Sequence, residues 1–172
     1  MKIVQIAAFL AVVLVIVGFV AYSYYEIENS NGQVDVSINS SNTSSNYSAK
    51  SLNITITAID LRSSNYSLWT NYSTGSVHID LLDYITPHKY SFGNISLIEG
   101  DYTMIRLNIT SATAVVNETP VHINLNRKYA EVAGNFDIPA RTTTYFNLEF
   151  LLDGNFNMTS DTFNPDIQVL NL

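Results

Sequence analysis

The segment Asp153–Asn164 carries oxygen-bearing side chains at alternate positions, which is the spacing that a calcium-binding loop uses. Met158 stands where such a loop needs a glycine for its sharp turn, and Asn164 replaces the bidentate glutamate. The pattern therefore favours a structural loop, keeps Ca²⁺ as a weaker alternative, and indicates no other cofactor. The candidate calcium ligands are Asp153, Asn155, Asn157 and Asp161.

Asn-x-Ser/Thr motifs, which accept N-linked sugars in exported proteins, are dense along the chain. Asn53 and Asn108 fall on the polar side of predicted strands, where a bulky sugar can project outward. The density predicts glycosylation at several sites, although a chain rich in Asn, Ser and Thr also produces such motifs by composition alone. The candidate acceptors are Asn39, Asn42, Asn46, Asn53, Asn65, Asn71, Asn94, Asn108, Asn117 and Asn157.

Side chains suited to catalysis are scattered along the sequence. His78 and Asp80 share one face of a predicted strand, which supplies two metal ligands at most, because His88 and His122 lie on other segments. The sequence has no nucleophile elbow and no glycine-rich phosphate loop. We therefore expect no enzyme. An acid and base pair for glycoside hydrolysis would have to come from the strand carboxylates of Glu131, Asp137 and Glu149.

Composition limits the classes of partner. The chain has 172 residues, a net charge of −7 and only 13% charged residues, so it lacks the basic patch that nucleic acid or an anionic membrane surface requires. Cysteine is absent, which excludes disulfides and thiolate metal sites. A polar surface of Asn, Ser, Thr and Tyr is typical of proteins displayed outside a cell.

Residues 3–22, IVQIAAFLAVVLVIVGFVAY, form an apolar run. About 20 helical residues at about 1.5 Å each match the hydrocarbon core of a bilayer, which is about 30 Å thick. A secretory signal has an apolar core of only about 7–15 residues, so we expect residues 1–23 to be a retained anchor. Lys2 before the run predicts a single-pass cell-membrane protein with its C-terminal domain outside. Cleavage near Ala21-Tyr22-Ser23, followed by secretion, is the alternative.

Beyond a predicted linker at residues 24–32, short stretches alternate between apolar and polar side chains, as half-buried strands do. The stretch 77–110 is the clearest: apolar runs at Val77–Leu82 and Tyr102–Ile109 flank a polar loop and a tight turn at Gly100. In the second run we expect a core face formed by Ile105, Leu107 and Ile109.

The apolar phase flips at Ala58-Ile59 and again at Met104-Ile105, which predicts a β-bulge near each position. Short strands at regular spacing, with no helical period after residue 23, predict an all-β fold. The specific expectation is an antiparallel Ig-like, Greek-key β-sandwich over residues 33–172, preceded by a single N-terminal transmembrane helix.

From about Gln33 to Leu172 the chain resembles the domain-of-unknown-function family numbered 4382, which comprises exported cell-surface domains of archaea and bacteria. The resemblance implies fold and export, and it implies no catalytic residues. Glu99 replaces the small residue that the family has before the turn glycine. The matching segments are Ile56–Arg62 (ITAIDLR), Trp69, His78–Asp83 (HIDLLD), Glu99–Ile109 (EGDYTMIRLNI), Phe136–Ala140 (FDIPA), Asn147–Phe150 (NLEF) and Pro165–Val169 (PDIQV).

Three functional hypotheses follow. The leading one is a glycosylated, membrane-anchored structural or adhesion-type binding module of an archaeal envelope, with other envelope proteins or surface glycans as partners. The second is a subunit of an extracellular filament, which assembles through a pilin-like helix or by donating Gln33–Asn39 to a neighbour's sheet. The third is a calcium- or carbohydrate-binding lectin-like domain that uses the Asp153–Asn164 loop and the aromatic residues Trp69 and Tyr72.

Overall fold

The computed structural model of the chain describes residues 2–40, 48–65, 68–83 and 90–170. It opens with helix α1 (Lys2–Asn29), in which the described apolar side chains are exposed, from Val12 to Val20. Among the described residues, no helix is both long and apolar enough to count as a membrane span. Because α1 runs to Asn29 and the first strand begins at Asn31, helix and strand occupy the segment that we predicted as a linker.

All other regular structure that the structure describes is β-strand, which confirms the all-β prediction. The described strands in chain order are β1 (Asn31–Ser40), β2 (Ser51–Ser63), β3 (Trp69–Asp80), β4 (Tyr90–Ile98), β5 (Gly100–Val116), β6 (Thr119–His122), β7 (Asn124–Leu125), β8 (Tyr129–Ile138), β9 (Thr143–Phe150), β10 (Phe156–Asn157), β11 (Thr162–Phe163) and β12 (Ile167–Val169).

These strands form two main sheets and a small one. The four-stranded sheet has the order β12-β9-β1-β4; the five-stranded sheet has the order β3-β2-β5-β6, with β8 also paired to β5. Their inward side chains share one core, in which Phe136 of β8 and Phe146 of β9 meet edge to face, with ring centroids 5.2 Å apart. The small sheet, β10-β11-β7, adds Phe156 and Phe163 to this core. The result is a sandwich-like arrangement of two layers.

One prediction about strand direction is wrong in detail. Strand β1 pairs with β4 in the antiparallel sense but with β9 in parallel, from Gln33 opposite Thr143 to Ser40 opposite Phe150. The alternation of apolar side chains predicts which face of a strand is buried, and Val34, Val36 and Ile38 are buried as expected. It contains no information on the direction of the neighbouring strand, since a parallel neighbour leaves the same two-residue period.

Strand β4 was also missed, since we predicted a polar loop between the two apolar runs. Ile95 and Leu97 are buried, and their polar neighbours Asn94 and Ser96 are exposed. This alternation is short and follows a polar stretch, so it gave a weak signal. Strand β5, by contrast, extends well beyond the predicted apolar run Tyr102–Ile109, because it continues to Val116.

The predicted bulges are confirmed within two residues. The register of β2 shifts between Ile56 and Ala58 against both of its neighbours, and that of β5 shifts between Tyr102 and Met104. The shift in β2 keeps Ile56 and Ile59 buried on the same side. In a strand without this shift, the apolar residues on one side of it would face solvent.

Gly100 joins the two sheets at the turn between β4 and β5. Its φ of +138° lies in a region that side chains with a Cβ rarely adopt. The preceding residue, Glu99, donates its backbone N–H to the carbonyl of Ser30 at 2.9 Å, which holds the turn against the start of β1. The sequence prediction of a turn that needs glycine is therefore confirmed.

Candidate functional site

The outward surface of the five-stranded sheet brings charged and aromatic side chains together. The register places Arg106 of β5 opposite Asp60 of β2 and Glu131 of β8. Side chains alternate across a strand, so these three point away from the buried Ile105 and Leu107. We name this surface the Arg106 face and define it by Asp60, Trp69, Asn71, Arg106, Asn108, Tyr129 and Glu131.

Arg106 is held on three sides. Its guanidinium carbon lies 4.1 Å from the ring centroid of Trp69 and 4.6 Å from that of Tyr129. Its Nε and Nη2 donate to Oε2 of Glu131 at 3.1 and 2.9 Å. The Arg106 and Glu131 side chains are 27% and 26% exposed, so this ion pair is only partly screened by water. A guanidinium between two rings and a carboxylate is fixed in position before any partner arrives.

A second arginine extends this row. Arg127 lies with its guanidinium carbon 5.6 Å from the ring centroid of Tyr129 and donates to the carbonyl of Pro165 and to the carboxylate of Asp166. Trp69, Arg106, Tyr129 and Arg127 therefore alternate as aromatic ring and cation. Such alternation is favourable because each cation faces the negative surface of a ring.

Asp60 lies beside this row and is only 9% exposed, although it faces outward. Its Oδ1 accepts a hydrogen bond from Asn71 Nδ2, and its Oδ2 accepts one from Asn108 Nδ2 at 2.8 Å. A carboxylate removed from water needs such donors, because leaving it without them would cost several kcal/mol. Asp60 thereby links β3, β2 and β5 through their side chains.

The chemistry of the Arg106 face suits recognition. Trp69 is 37% exposed, so it presents an apolar ring beside fixed hydrogen-bond donors and acceptors. Trp, Tyr and Arg are the residue types enriched where binding energy concentrates in protein interfaces. An aromatic surface next to a guanidinium and a carboxylate can contact either a sugar or a polar protein segment.

In the candidate calcium loop, the side-chain oxygens of Asn155 and Asn157 accept hydrogen bonds from other groups of the same loop. Asn157 Oδ1 accepts the backbone N–H groups of Thr159 and Ser160 at 2.8 and 3.2 Å, and Asn155 Oδ1 accepts from Asn164 Nδ2 at 3.1 Å. Asp153 and Asp161 lie in turns on either side of β10. Among the described residues, no group of three or more His, Cys, Asp or Glu side chains could hold a metal ion.

Among the described residues, His78, Asp80 and His122 do not form a group that could hold a metal ion. Asp80 Oδ1 accepts the backbone N–H groups of Leu52 and Leu82, both at 2.9 Å, so it stabilises the chain after β3. His78 Nδ1 lies 3.0 Å from Thr55 Oγ1. His122 is exposed on β6, and His88 lies outside the described residues.

The three strand carboxylates do not meet either. Glu131 belongs to the Arg106 face, whereas Glu149 lies on the outward side of the four-stranded sheet, where it accepts from Gln168 Nε2 at 2.6 Å. Asp137 is exposed near the end of β8. Glu131 and Glu149 thus point away from each other on opposite sides of the core.

The candidate glycosylation sites occupy different environments. Asn42 and Asn46 lie outside the described residues. Asn39 and Asn108 are half-buried on β1 and β5. The exposed ones are Asn53, Asn65, Asn71, Asn94, Asn117 and Asn157.

Tyr72 closes one edge of the sandwich. Its hydroxyl donates to the carbonyl of Ser96, and the hydroxyl of Tyr102 donates to that of Ile98 at 2.9 Å. Burial raises the pKa of Tyr72, the neighbouring Tyr102 raises it further, and burial also raises the pKa of Tyr102. Tyr72 borders a cleft of about 350 Å³ between β3 and β4. It is therefore half-buried, whereas we expected an exposed aromatic residue.

Sequence reasoning missed most of the Arg106 face. Its sequence pattern singles out Trp69 as an aromatic residue for ligands but does not identify Arg106 as a site residue. The available signal was the isolated charge inside each strand: Asp60 stands between Ile59 and Leu61, and Arg106 between Ile105 and Leu107. A charge in mid-strand needs partners on neighbouring strands, but one sequence does not show which strands are neighbours.

Known proteins offer limited comparison. No curated protein sequence matches the chain. A leucine-rich repeat protein from Bacteroides thetaiotaomicron VPI-5482 is similar over 67% of this chain and 13% of its own, with 11% identity and a TM-score of 0.34. A disulfide locked mutant of Intermedilysin with human CD59 is similar over 83% and 24%, with 12% identity and a TM-score of 0.22. At these TM-scores neither similarity carries an argument.

The family comparison is more informative. The model of DUF4382, a domain of unknown function, matches residues 31–164. This range begins with β1, ends just after β11 and contains every residue of the Arg106 face. The resemblance seen in the sequence is thereby confirmed, and the chain belongs to the DUF4382 family.

Proposed function

We propose that this protein is a membrane-anchored, N-glycosylated cell-surface module that binds a component of the envelope through the Arg106 face. The observation that carries the proposal is the fixed position of Arg106 between Trp69, Tyr129 and Glu131. Most exposed ion pairs contribute only about 0–1 kcal/mol, so stability alone gives little reason to build this arrangement. Preorganised aromatic and arginine side chains, by contrast, favour binding because less ordering is needed when a partner arrives.

The anchor is the second part of the proposal. The described apolar side chains of α1 are exposed: Leu14, Val15 and Phe19 are 67%, 71% and 70% exposed. Such a surface is unfavourable in water, which supports a lipid environment. We place the helix in the cell membrane and the strands outside, with secretion after cleavage as the alternative. The N-terminal mass of protein isolated from its native cells distinguishes them, because cleavage removes the first residues.

The finer description of the fold also belongs to this proposal. An Ig-like, Greek-key sandwich is supported by two layers that share one core and by a chain that crosses repeatedly between them. Strands β2 and β3 lie in the five-stranded sheet, β4 returns to the four-stranded sheet, and β5 crosses again.

The partner class that the Arg106 face suits best is a surface glycan. The face combines an exposed ring for stacking with the guanidinium of Arg106 and the carboxylate of Glu131, which can exchange hydrogen bonds with sugar hydroxyls. An envelope protein is the other candidate partner. The calcium-dependent lectin alternative has less support, because Asn155 and Asn157 use their side-chain oxygens inside the loop.

The filament alternative has less support as well. Donation of Gln33–Asn39 to a neighbour would require β1 to leave both β4 and β9, with which it pairs along most of its length. A subunit that donates a strand normally holds it outside its own sheet. Particles seen by electron microscopy in detergent would distinguish a filament from a monomer.

Tryptophan fluorescence tests the proposed binding directly. Trp69 is the only tryptophan in the chain, so any change in its emission reports on the Arg106 face. We expect envelope polysaccharide from the native cells, added to the full chain in detergent, to change this emission saturably. An emission that stays constant while the polysaccharide co-sediments with the protein would place binding elsewhere. An absence of co-sedimentation, with envelope protein giving a saturable change, would reassign the partner class.

A further inference from the structure

Two candidate glycosylation sites, Asn71 and Asn108, belong to the Arg106 face itself. We propose that Asp60 withholds both asparagines from glycosylation in the folded chain and so keeps the Arg106 face free of attached sugar. This inference rests on the glycosylation included in the proposed function. It adds that the acceptors divide into two groups according to their hydrogen bonds.

The atom that would be modified is the atom that contacts Asp60. N-glycosylation bonds C1 of a sugar to Nδ2 of asparagine; Nδ2 loses a proton, and the pyrophosphate of a lipid-linked oligosaccharide donor leaves. In Asn71, Nδ2 donates to Asp60 Oδ1, and in Asn108, Nδ2 donates to Asp60 Oδ2 at 2.8 Å. The transferase would therefore have to draw each amide away from a carboxylate that is 9% exposed.

Moving either amide has a cost that an asparagine without a hydrogen bond to a shielded carboxylate does not have. Asp60 would lose one of its two amide donors while remaining shielded from water, and hydrogen bonds to charged groups are among the stronger ones in proteins. Asn108 is further confined because β5 pairs with β2 on one side and with β8 on the other, which places Ala58 and Tyr129 opposite it.

Other acceptors lack this restraint. Asn65 and Asn117 are exposed in turns, and Asn117 has a φ of +47° between β5 and β6. Asn157 is exposed, and the side-chain atom that accepts the backbone N–H groups of Thr159 and Ser160 is Oδ1, not Nδ2. Exposed turns are accessible to modifying enzymes in a way that strands in mid-sheet are not. We therefore expect sugar on Asn65, Asn117 and Asn157.

Glycopeptide mass spectrometry of the full chain, isolated from its native cells, tests this division. We expect sugar on Asn65, Asn117 and Asn157 and none on Asn71 or Asn108. The variant Asp60→Asn should raise occupancy at Asn71 and Asn108. The matched variant Arg106→Met, which leaves the hydrogen bonds to Asp60 in place, should not. If Asn117 carries sugar in the unaltered chain, equal occupancy at Asn108 would overturn the proposal.

A second measurement does not depend on whether any sugar is attached. Proton exchange of side-chain amides, followed by NMR on the full chain in detergent, should be slower by about tenfold or more for Asn71 and Asn108 than for Asn117. Equal exchange rates would overturn the role of Asp60 even if Asp60→Asn failed to fold. If no acceptor carries sugar but the two amides are protected, glycosylation fails as part of the proposed function while the restraint by Asp60 stands.

Discussion

The two outward faces of the sandwich are built from different side chains. On the four-stranded sheet, short polar side chains form local hydrogen bonds: the buried Ser37 Oγ donates to Asn147 Oδ1 at 2.6 Å, and the exposed Ser91 Oγ donates to Asp35 Oδ1 at 2.7 Å. Strands β1, β4, β9 and β12 contain no lysine or arginine. The Arg106 face instead links long charged and aromatic side chains across four strands.

The outward face of the four-stranded sheet needs only to be hydrated, whereas we assign the binding of a partner to the Arg106 face. The outward face of the four-stranded sheet is polar without any lysine or arginine in its strands. Ordering arginine and glutamate side chains costs up to about 1.5–2 kcal/mol each in rotamer entropy. The side chains of the Arg106 face are ordered despite this loss of rotamer entropy, and we therefore assign binding to that face. If this assignment is correct, the two sheets should differ on their outward faces and behave alike on their inward faces.

The inward faces of the two sheets should behave alike. Leu107 of the five-stranded sheet and Leu148 of the four-stranded sheet are both fully buried. Leu107→Ala and Leu148→Ala should each lower the free energy of unfolding by about 2–5 kcal/mol, because each leaves a cavity in the shared core. Chemical denaturation of the full chain in detergent measures both. A much smaller loss of unfolding free energy for Leu107→Ala would mean that the Leu107 side chain does not pack in the core.

A β-branched residue at position 100, in the turn that joins the sheets, should lower the stability of the protein. Gly100→Val should cost about 1–3 kcal/mol, because the φ of +138° is strained for any residue with a Cβ. The neighbouring exposed residue provides the control, since Glu99→Val leaves the backbone of Gly100 unchanged. Thermal unfolding should show a clear fall in melting temperature for the glycine variant alone. Equal falls in the melting temperatures of the two variants would indicate that loss of surface charge or added apolar surface, and not the φ of Gly100, lowers the stability.

The outward faces should differ in stability by a modest amount. Arg106→Ala removes two ring contacts and an ion pair and should cost about 1–2 kcal/mol. Glu149→Ala removes an exposed hydrogen bond on the other face and should change stability by about 0.5 kcal/mol or less. If both variants unfold at the same denaturant concentration, Arg106 is not held as described, and the two faces do not differ in the way proposed.

The smallest effect concerns the tyrosines that close the edge between the sheets. A raised pKa means that folding favours the protonated hydroxyl of Tyr72 and Tyr102. Their contribution is therefore complete below the ordinary tyrosine pKa of 10.0 and is lost as pH rises from that value through the raised pKa of the folded state. We expect the free energy of unfolding to fall above pH 10 and to fall less steeply in Tyr72→Phe. An identical pH dependence in the unaltered protein and in Tyr72→Phe would show that ionisation of Tyr72 does not contribute to it.

Local pattern was enough to predict the inward faces. Ile105, Leu107 and Ile109 alternate with polar residues and are buried as predicted, and the phase flips correctly located two bulges. Burial follows from hydrophobicity and a two-residue period, both of which are local. The turn at Gly100 was predictable for the same reason.

The Arg106 face could not be predicted in this way, because its contacts join residues far apart in sequence. Asp60 meets Asn108, and Arg106 meets Trp69 and Glu131, only after β2, β3, β5 and β8 have paired in one register. Periodicity does not encode strand order or register. The same limit explains the unforeseen parallel pairing of β1 with β9.

Binding to envelope material tests the role of the Arg106 face, because the chain offers a matched aromatic control. Tyr145 is 61% exposed on the outward side of the four-stranded sheet, whereas Trp69 belongs to the Arg106 face. Dissociation constants should be measured for envelope fragments of the native cells and the full chain in detergent. We predict that Trp69→Ala and Arg106→Ala each weaken binding by about tenfold or more, and that Tyr145→Ala changes it by less than about twofold. Equal losses for Trp69→Ala and Tyr145→Ala, or a loss for Tyr145→Ala alone, would contradict the assignment of binding to the Arg106 face.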